Sequence, residues 1–163
     1  MLSVDERDDL ELALASFVQL LDQLGVPWYV GGSVASTVHG QFRATNDVDV
    51  IVELREEHAP EIRSSLEADH YVDEASIVEA CRRRSSFNLI HFGTGLKIDV
   101  FVAADSEYAA VARSRRVRAP TGLEPDAFAI WVASAEDTVL AKLEWFRRGG
   151  EVSDRQWRDV QGV

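Results

Sequence analysis

Two aspartates, Asp47 and Asp49, lie two positions apart at the start of an apolar run that ends at Val52. Alternate side chains of a β-strand project to opposite faces, so both carboxylates are expected on one face and the valines on the other. Carboxylates that share a face repel each other unless a cation lies between them, and their hard oxygen atoms suit Mg²⁺ or Mn²⁺. The spacing therefore predicts a metal site on a strand.

A glycine-rich turn precedes these aspartates. Gly31, Gly32 and Ser33 follow a short apolar run, residues 28–30, and open a predicted helix that ends at Gly40. Glycine permits backbone dihedrals, and an approach to a ligand, that a Cβ would obstruct. The free N–H groups at the start of a helix donate hydrogen bonds to phosphate oxygens. A phosphate-binding turn near metal-binding carboxylates predicts chemistry on a nucleoside triphosphate.

A third aspartate, Asp99, lies within an otherwise largely apolar strand pattern, residues 96–102. A carboxylate there is costly unless it is paired or bound to a cation. Lys97 is on the same face by alternation and is one expected partner. The interpretation that we favour makes Asp99 a third member of the cluster with Asp47 and Asp49, as metal ligand or base, because strand pairing would bring the acids together.

Several arginines are candidates for binding phosphate. Arg43, in the loop before the acid pair, either contacts a phosphate or holds the acids in place. Two concentrations of arginine, residues 82–84 and 113–118, either meet phosphates or offset nearby acids as solvated side chains. The sequence alone leaves both alternatives open.

The composition is that of a soluble globular domain, with 163 residues, 46% of them apolar and 28% charged. No apolar run approaches the roughly 20 residues of a membrane helix, and the acidic N-terminus is unlike a signal peptide. A single cysteine, Cys81, excludes an intramolecular disulfide and favours a cytoplasmic location. A net charge of −11 argues against a protein that coats nucleic acid.

Hydrophobic periodicity and turn residues predict an α/β (α+β) chain that forms one domain over residues 1–163. The predicted helices cover residues 4–24, 33–39, 56–68, 73–83, 106–115, 134–148 and 155–160. The predicted strands cover residues 28–30, 48–52, 87–92, 96–102, 116–119 and 128–132. The core is expected over residues 25–132, followed by C-terminal helices over residues 134–163.

These motifs resemble the polymerase-beta-like nucleotidyltransferase superfamily. Within it, the chain looks most like the small bacterial nucleotidyltransferase-like proteins related to the AbiEii-type abortive-infection toxins. The resemblance is carried by Gly31-Gly32-Ser33, Gly40, Arg43, Thr45, Asp47-Val48-Asp49 and Asp99. Residues 136–143 resemble that group's lysine-bearing helix, and residues 154–160 resemble its acidic motif. The resemblance spans about residues 25–163.

The resemblance implies a mixed sheet of four or five strands flanked by helices, with a short C-terminal helical part. It also implies the roles of the site residues. The glycine-serine turn holds the triphosphate, the aspartate pair holds Mg²⁺ (or Mn²⁺), and Asp99 helps to deprotonate the attacking hydroxyl. Lys142 contacts a nucleotide phosphate or forms a structural ion pair. Asp159 is either the acid of the last motif or a helix-surface acid.

The implied reaction is attack of an acceptor hydroxyl on the α-phosphorus of a nucleoside triphosphate, with pyrophosphate leaving. RNA, protein or a small molecule is the expected acceptor, and a toxin of this kind is expected to have an antitoxin partner. The C-terminal part is short for the toxin relatives. The alternative is therefore a weak or inactive nucleotide-binding module, which joins a partner or a second copy through its last helix. A magnesium phosphohydrolase would leave the glycine-serine turn less well explained.

Overall fold

The computed structural model describes residues 4–39, 46–122, 124–148 and 161. The strands are β1 (Trp28–Val30), β2 (Asp47–Val52), β3 (His70–Tyr71), β4 (Ser86–His91), β5 (Lys97–Val102), β6 (Val117–Pro120) and β7 (Ala129–Val132). The helices are α1 (Val4–Gln23), α2 (Gly32–His39), α3 (Ala59–Leu66), α4 (Glu74–Arg83), α5 (Glu107–Arg115) and α6 (Ala135–Arg148), with a 3₁₀ turn at Glu56–His58. No described helix combines the length and the apolarity needed to cross a membrane.

One mixed sheet of seven strands contains all of the described strands, in the order β3-β4-β5-β2-β1-β7-β6. The expectation of four or five strands, which came from the resemblance, is therefore wrong. The local patterns at residues 116–119 and 128–132 predict two further strands, and both join the sheet as β6 and β7. The remaining strand, β3, has only two residues, which is too short to show an alternating pattern.

The sheet has one buried apolar face, here called the back face, and one partly exposed face, called the front face. The back face carries Val48, Val50 and Val52 of β2 together with alternate residues of β5, all buried. Helices α1, α3 and α4 supply the other half of the core, through side chains such as Phe17 and Ile62. Because the core lies on the back face, polar side chains of β2 and β5 are left on the front face.

Two strand-to-helix turns lie side by side at one end of the sheet. Strands β1 and β7 are parallel, with Val30 paired to Val132, and each leads into a helix. The two helices, α2 and α6, pack against each other, and His39 Nε2 lies 2.7 Å from the carbonyl oxygen of Ala133. This arrangement brings the start of α6 next to the glycine turn of α2.

Candidate active site

The aspartate pair occupies the start of β2, as predicted. Asp47 is exposed and Asp49 is half-buried, and Ile51 continues the same face. The intervening valines are buried on the back face. The alternation therefore places both carboxylates on the front face.

The pairing of β2 with β5 brings the third aspartate to the first two. These strands are parallel, with Asp49 opposite Asp99 and Asp47 opposite Lys97. Side chains on directly opposite positions of neighbouring strands lie on the same face. The predicted adjacency of the acids is thus observed, while their catalytic roles stay predictions.

Lys97 forms the ion pair that was the other interpretation of Asp99. Its Nζ atom lies 2.9 Å from Asp99 Oδ2, and both side chains are partly exposed. The two interpretations are therefore compatible in the structure. Asp99 is next to Asp49 and is also paired to a lysine.

The environment of Asp49 disfavours its ionised form. Burial, followed by the charges of Asp47 and Asp99, raises the pKa of Asp49 from 3.8 to about 6. Lys97 and Lys142 act in the opposite direction but do not offset it. A cation placed between these carboxylates would remove the repulsion.

The glycine turn packs directly against Asp49. The Gly31 N–H donates a hydrogen bond of 2.9 Å to the Asp49 carbonyl oxygen. Gly32 has φ +58°, and a Cβ at that position would overlap Asp49 Oδ2 and lie 2.9 Å from its Cγ. A Cβ on Gly31 would lie 2.9 Å from Ile51 Cδ1. Glycine was predicted here for close approach to a ligand, and the structure adds that it is needed for close approach to the acid strand. Ser33 follows as the second residue of α2.

The first turn of α6 contains a buried carboxylate, Asp137, whose ion-pair partner was not predicted from the sequence. Ser134 caps the helix, accepting a hydrogen bond of 3.1 Å from the Asp137 N–H. The Asp137 carboxylate accepts two hydrogen bonds from Arg115, of 2.6 and 3.1 Å. Arg115 ends α5, and no local pattern links two residues that far apart in sequence. This contact fixes the helix that carries Lys142.

Comparison with solved structures identifies the fold. The chain superposes on an antigenic nucleotidyltransferase-like protein from Paracoccidioides brasiliensis with a TM-score of 0.58 and 18% identity, over 99% of this chain and 75% of the other. The antibiotic-resistance factor ANT(2'')-Ia gives a TM-score of 0.57 and 14% identity, over 94% and 82% of the two chains. The lincosamide antibiotic adenylyltransferase LnuA, lincomycin-bound, gives 0.51 and 16%, over 99% and 96%.

The chain has the nucleotidyltransferase fold. No protein-family model and no curated protein matches the sequence. The narrower resemblance to the AbiEii-type group therefore stays a prediction.

The nucleotidyltransferase fold raises the question of a metal ion, and the donor atoms present fit Mg²⁺. Within the described residues, no three histidine, cysteine, aspartate or glutamate side chains form a group that could hold a metal by themselves. Mg²⁺ usually binds one or two protein carboxylates and completes its shell with water and substrate phosphates. Asp47 and Asp49 match that requirement. Burial, and after it the charges of Asp47 and Asp99, raise the pKa of Asp49, and a cation would relieve the repulsion among these acids.

Most arginines of the two clusters pair with carboxylates, which supports their interpretation as offsetting charges. The pairs are Arg82 with Glu56, Arg83 with Glu79, Arg113 with Glu53 and Arg115 with Asp137. Arg116 and Arg118 instead lie over the ring of Trp131, at 4.6 and 5.5 Å from its centroid. Among the predicted site residues, Arg43 lies outside the described residues, as do Gly40, Thr45, Asp159 and the predicted helix over residues 155–160.

Proposed function

We propose that the protein is a metal-dependent nucleotidyltransferase that moves a nucleoside monophosphate from a nucleoside triphosphate to a hydroxyl acceptor. The observation that carries the proposal is the register that sets Asp49 opposite Asp99, with the Gly31–Gly32 turn packed on the same carboxylate. This combination unites acids and a phosphate-binding turn on one surface of a nucleotidyltransferase fold. A strand that served only the core would have little reason to place these acids together.

Each group has a role in the transfer. The N–H groups at the start of α2, from Gly32 and Ser33, bind phosphate oxygens of the nucleotide. Lys142, whose charge lowers the pKa of Asp49, is assigned to neutralise a phosphate of the nucleotide. Asp47 and Asp49 hold Mg²⁺, which when bound supplies charge neutralisation and alignment of the phosphates.

The reaction itself exchanges one phosphorus–oxygen bond for another. Asp99 accepts the proton of the attacking hydroxyl, and the hydroxyl oxygen bonds to the α-phosphorus. The bond from the α-phosphorus to the bridging oxygen breaks, and pyrophosphate leaves with the bonding electron pair. Most of the acceleration comes from positioning and from electrostatic stabilisation of the transition state.

A small hydroxylated molecule is the acceptor class that the observations favour. ANT(2'')-Ia has been solved in complex with adenylyl-2''-tobramycin, and LnuA is a lincosamide antibiotic adenylyltransferase. The net charge of −11 also disfavours RNA, because a polyanionic acceptor needs a basic surface. A toxin role, with an antitoxin partner, remains a separate prediction.

Calorimetric titration of ATP, GTP, CTP and UTP in the presence of Mg²⁺ tests the proposal first. Wild-type protein is expected to bind at least one nucleotide, and Asp47→Asn/Asp49→Asn is expected to abolish the metal-dependent part. Asp8→Asn is the matched control, since it removes a charge from the exposed surface of α1, outside the acid cluster. The nucleotide that binds is then incubated with a panel of hydroxylated small molecules, and pyrophosphate release is measured. Folded wild-type protein that binds no nucleotide would exclude an autonomous transferase.

A second candidate is a non-catalytic module of the same fold that acts with a partner chain. Two observations favour it. Asp99 is already paired with Lys97, and α6 exposes Leu140, Leu143 and Trp145 to solvent at 46%, 37% and 57%. This module would bind nucleotide without releasing pyrophosphate for any acceptor, which separates it from the transferase in the same assay.

A further inference from the structure

A lysine side chain lies inside the acid cluster, where a second cation would otherwise be expected. Lys97 is directly opposite Asp47 in the β2–β5 register and lies on the front face. Its Nζ atom is 2.9 Å from Asp99 Oδ2, a distance typical of a charge-assisted hydrogen bond. The Lys97 side chain is 40% exposed and that of Asp99 is 24% exposed, so the pair faces the open side of the sheet.

The choice of lysine at this place is unusual for this chain. Of its 17 basic residues, only Lys97 and Lys142 are lysines, and the rest are arginines. The charges of both lysines act on Asp49. An ammonium group is a compact point charge with three rotatable donors, whereas a guanidinium is a planar fork. A compact cation is the better replacement for a metal ion among closely spaced carboxylates.

We propose that Lys97 is a built-in counter-cation that occupies the position of a second divalent ion beside Asp99. The cluster then takes up one divalent ion, at Asp47 and Asp49, rather than two. This inference rests on the proposed function.

Titration of the metal-free protein with Mn²⁺, followed by electron paramagnetic resonance of the free ion, tests the proposal without nucleotide or turnover. Wild-type protein is expected to bind one Mn²⁺. Lys97→Gln is expected to bind two, because it releases the Asp99 carboxylate and retains the approximate side-chain length. Lys97→Arg keeps the charge and is expected to bind one. Lys142→Gln removes the other lysine charge that acts on Asp49, and it is expected to bind one as well.

The outcomes separate this inference from the proposed function. Two ions on the wild-type protein, or one ion of unchanged affinity on Lys97→Gln, would overturn the counter-cation role and leave the transferase proposal intact. No ion on either protein would overturn the counter-cation role, and the nucleotide titration would then decide the proposed function, because bound nucleotide supplies phosphate ligands to Mg²⁺. Far-UV circular dichroism of each variant confirms that it is folded before titration.

A second measurement uses only the wild-type protein and Asp99→Asn. Because the chain holds two lysines, side-chain labelling with isotopic lysine gives two ε-CH₂ signals in an NMR spectrum. The signal that Asp99→Asn shifts belongs to Lys97. Saturating Mg²⁺ is expected to leave that signal away from the position of a free lysine, because the ion pair persists. A shift to the free position would show that the metal displaces Lys97, and would overturn the proposal.

Discussion

Two sheltered carboxylates, Asp137 and Asp49, lie next to the two strand-to-helix turns of this sheet, and their surroundings are opposite. The Asp137 side chain is 4% exposed and accepts hydrogen bonds from Arg115 and from the Ser134 hydroxyl. Asp49 is half-buried, and within the described part of the chain its carboxylate receives neither a hydrogen bond nor an ion pair. Its pKa is raised to about 6 by burial and by Asp47 and Asp99.

The difference separates Asp137, whose paired carboxylate stabilises the fold, from Asp49, whose ionised carboxylate destabilises it. A buried carboxylate is tolerated when charged and polar donors compensate for its lost hydration, as they do for Asp137. Among the described residues, no such donor reaches the Asp49 carboxylate, so its ionised form costs free energy until a cation arrives. Uncompensated acids of this kind concentrate at functional sites. Substitutions should therefore change stability in opposite directions at the two positions.

The largest effect on stability is expected at the compensated acid. Arg115→Met leaves the nearly buried Asp137 carboxylate without its cation, although the Ser134 hydroxyl still donates to it. We expect the free energy of unfolding to fall by about 3 kcal/mol, measured by urea denaturation at pH 7.

Substitution of the acid, rather than the arginine, should lower the free energy of unfolding by less. Asp137→Asn keeps an acceptor for Ser134 and releases Arg115, which is 44% exposed and regains its hydration. We expect the free energy of unfolding to fall by about 1 kcal/mol. Equal losses of unfolding free energy for Arg115→Met and Asp137→Asn would show that burial of the Asp137 carboxylate does not decide the size of the loss. The contrast drawn between Asp137 and Asp49 would then be wrong.

The sequence predicted the strand that carries Asp47 and Asp49 more fully than it predicted the tertiary contacts of the acids. Alternation placed Asp47 and Asp49 on one face, because the period of a strand is local information. It also predicted the strand that carries Asp99. Two neighbours were expected for that acid, Lys97 and the aspartate pair, and the structure places both beside it. The Arg115–Asp137 contact was missed because it joins α5 to α6, and tertiary pairing of charges leaves no local pattern.

The next substitution tests whether the close packing of the Gly31–Gly32 turn is what buries Asp49. Gly32→Ala introduces a Cβ that overlaps the Asp49 carboxylate, at a φ of +58° that disfavours any side chain. We expect the free energy of unfolding to fall by about 2 kcal/mol, and Mg²⁺-dependent nucleotide binding to be lost in the same calorimetric assay.

Gly25→Ala is the matched control for this substitution. Gly25 has a similar φ of +66°, but a Cβ there would meet no atom within 4 Å. Gly25→Ala should therefore lower the free energy of unfolding by only about 1 kcal/mol, through backbone strain, and should retain nucleotide binding. Loss of binding in both variants would mean that strain in the backbone, rather than contact with Asp49, disables the site.

The smallest effect has the opposite sign, because Asp49→Asn should stabilise the metal-free protein. The folded-state pKa of Asp49, about 6, lies above its ordinary value of 3.8. The unfolded chain therefore loses this proton first as pH rises, and Asp49 lowers stability progressively between about pH 4 and pH 6. Above that window the full penalty remains. With allowance for partial solvent screening and for the new amide, we expect Asp49→Asn to gain about 1–2 kcal/mol at pH 7.5 in EDTA.

The pH dependence and the response to metal must agree for this assignment to hold. Urea denaturation at several pH values should show the gain shrinking toward zero below about pH 4, where Asp49 is protonated in both states. Excess Mg²⁺ should stabilise the wild-type protein and leave Asp49→Asn unchanged, since only a bound ion shifts the folding equilibrium. A variant that is less stable than the wild type in EDTA at pH 7.5 would mean that the folded chain already compensates the Asp49 charge. Asp49 would then be a structural acid like Asp137, and the reason to place a cation beside it would disappear.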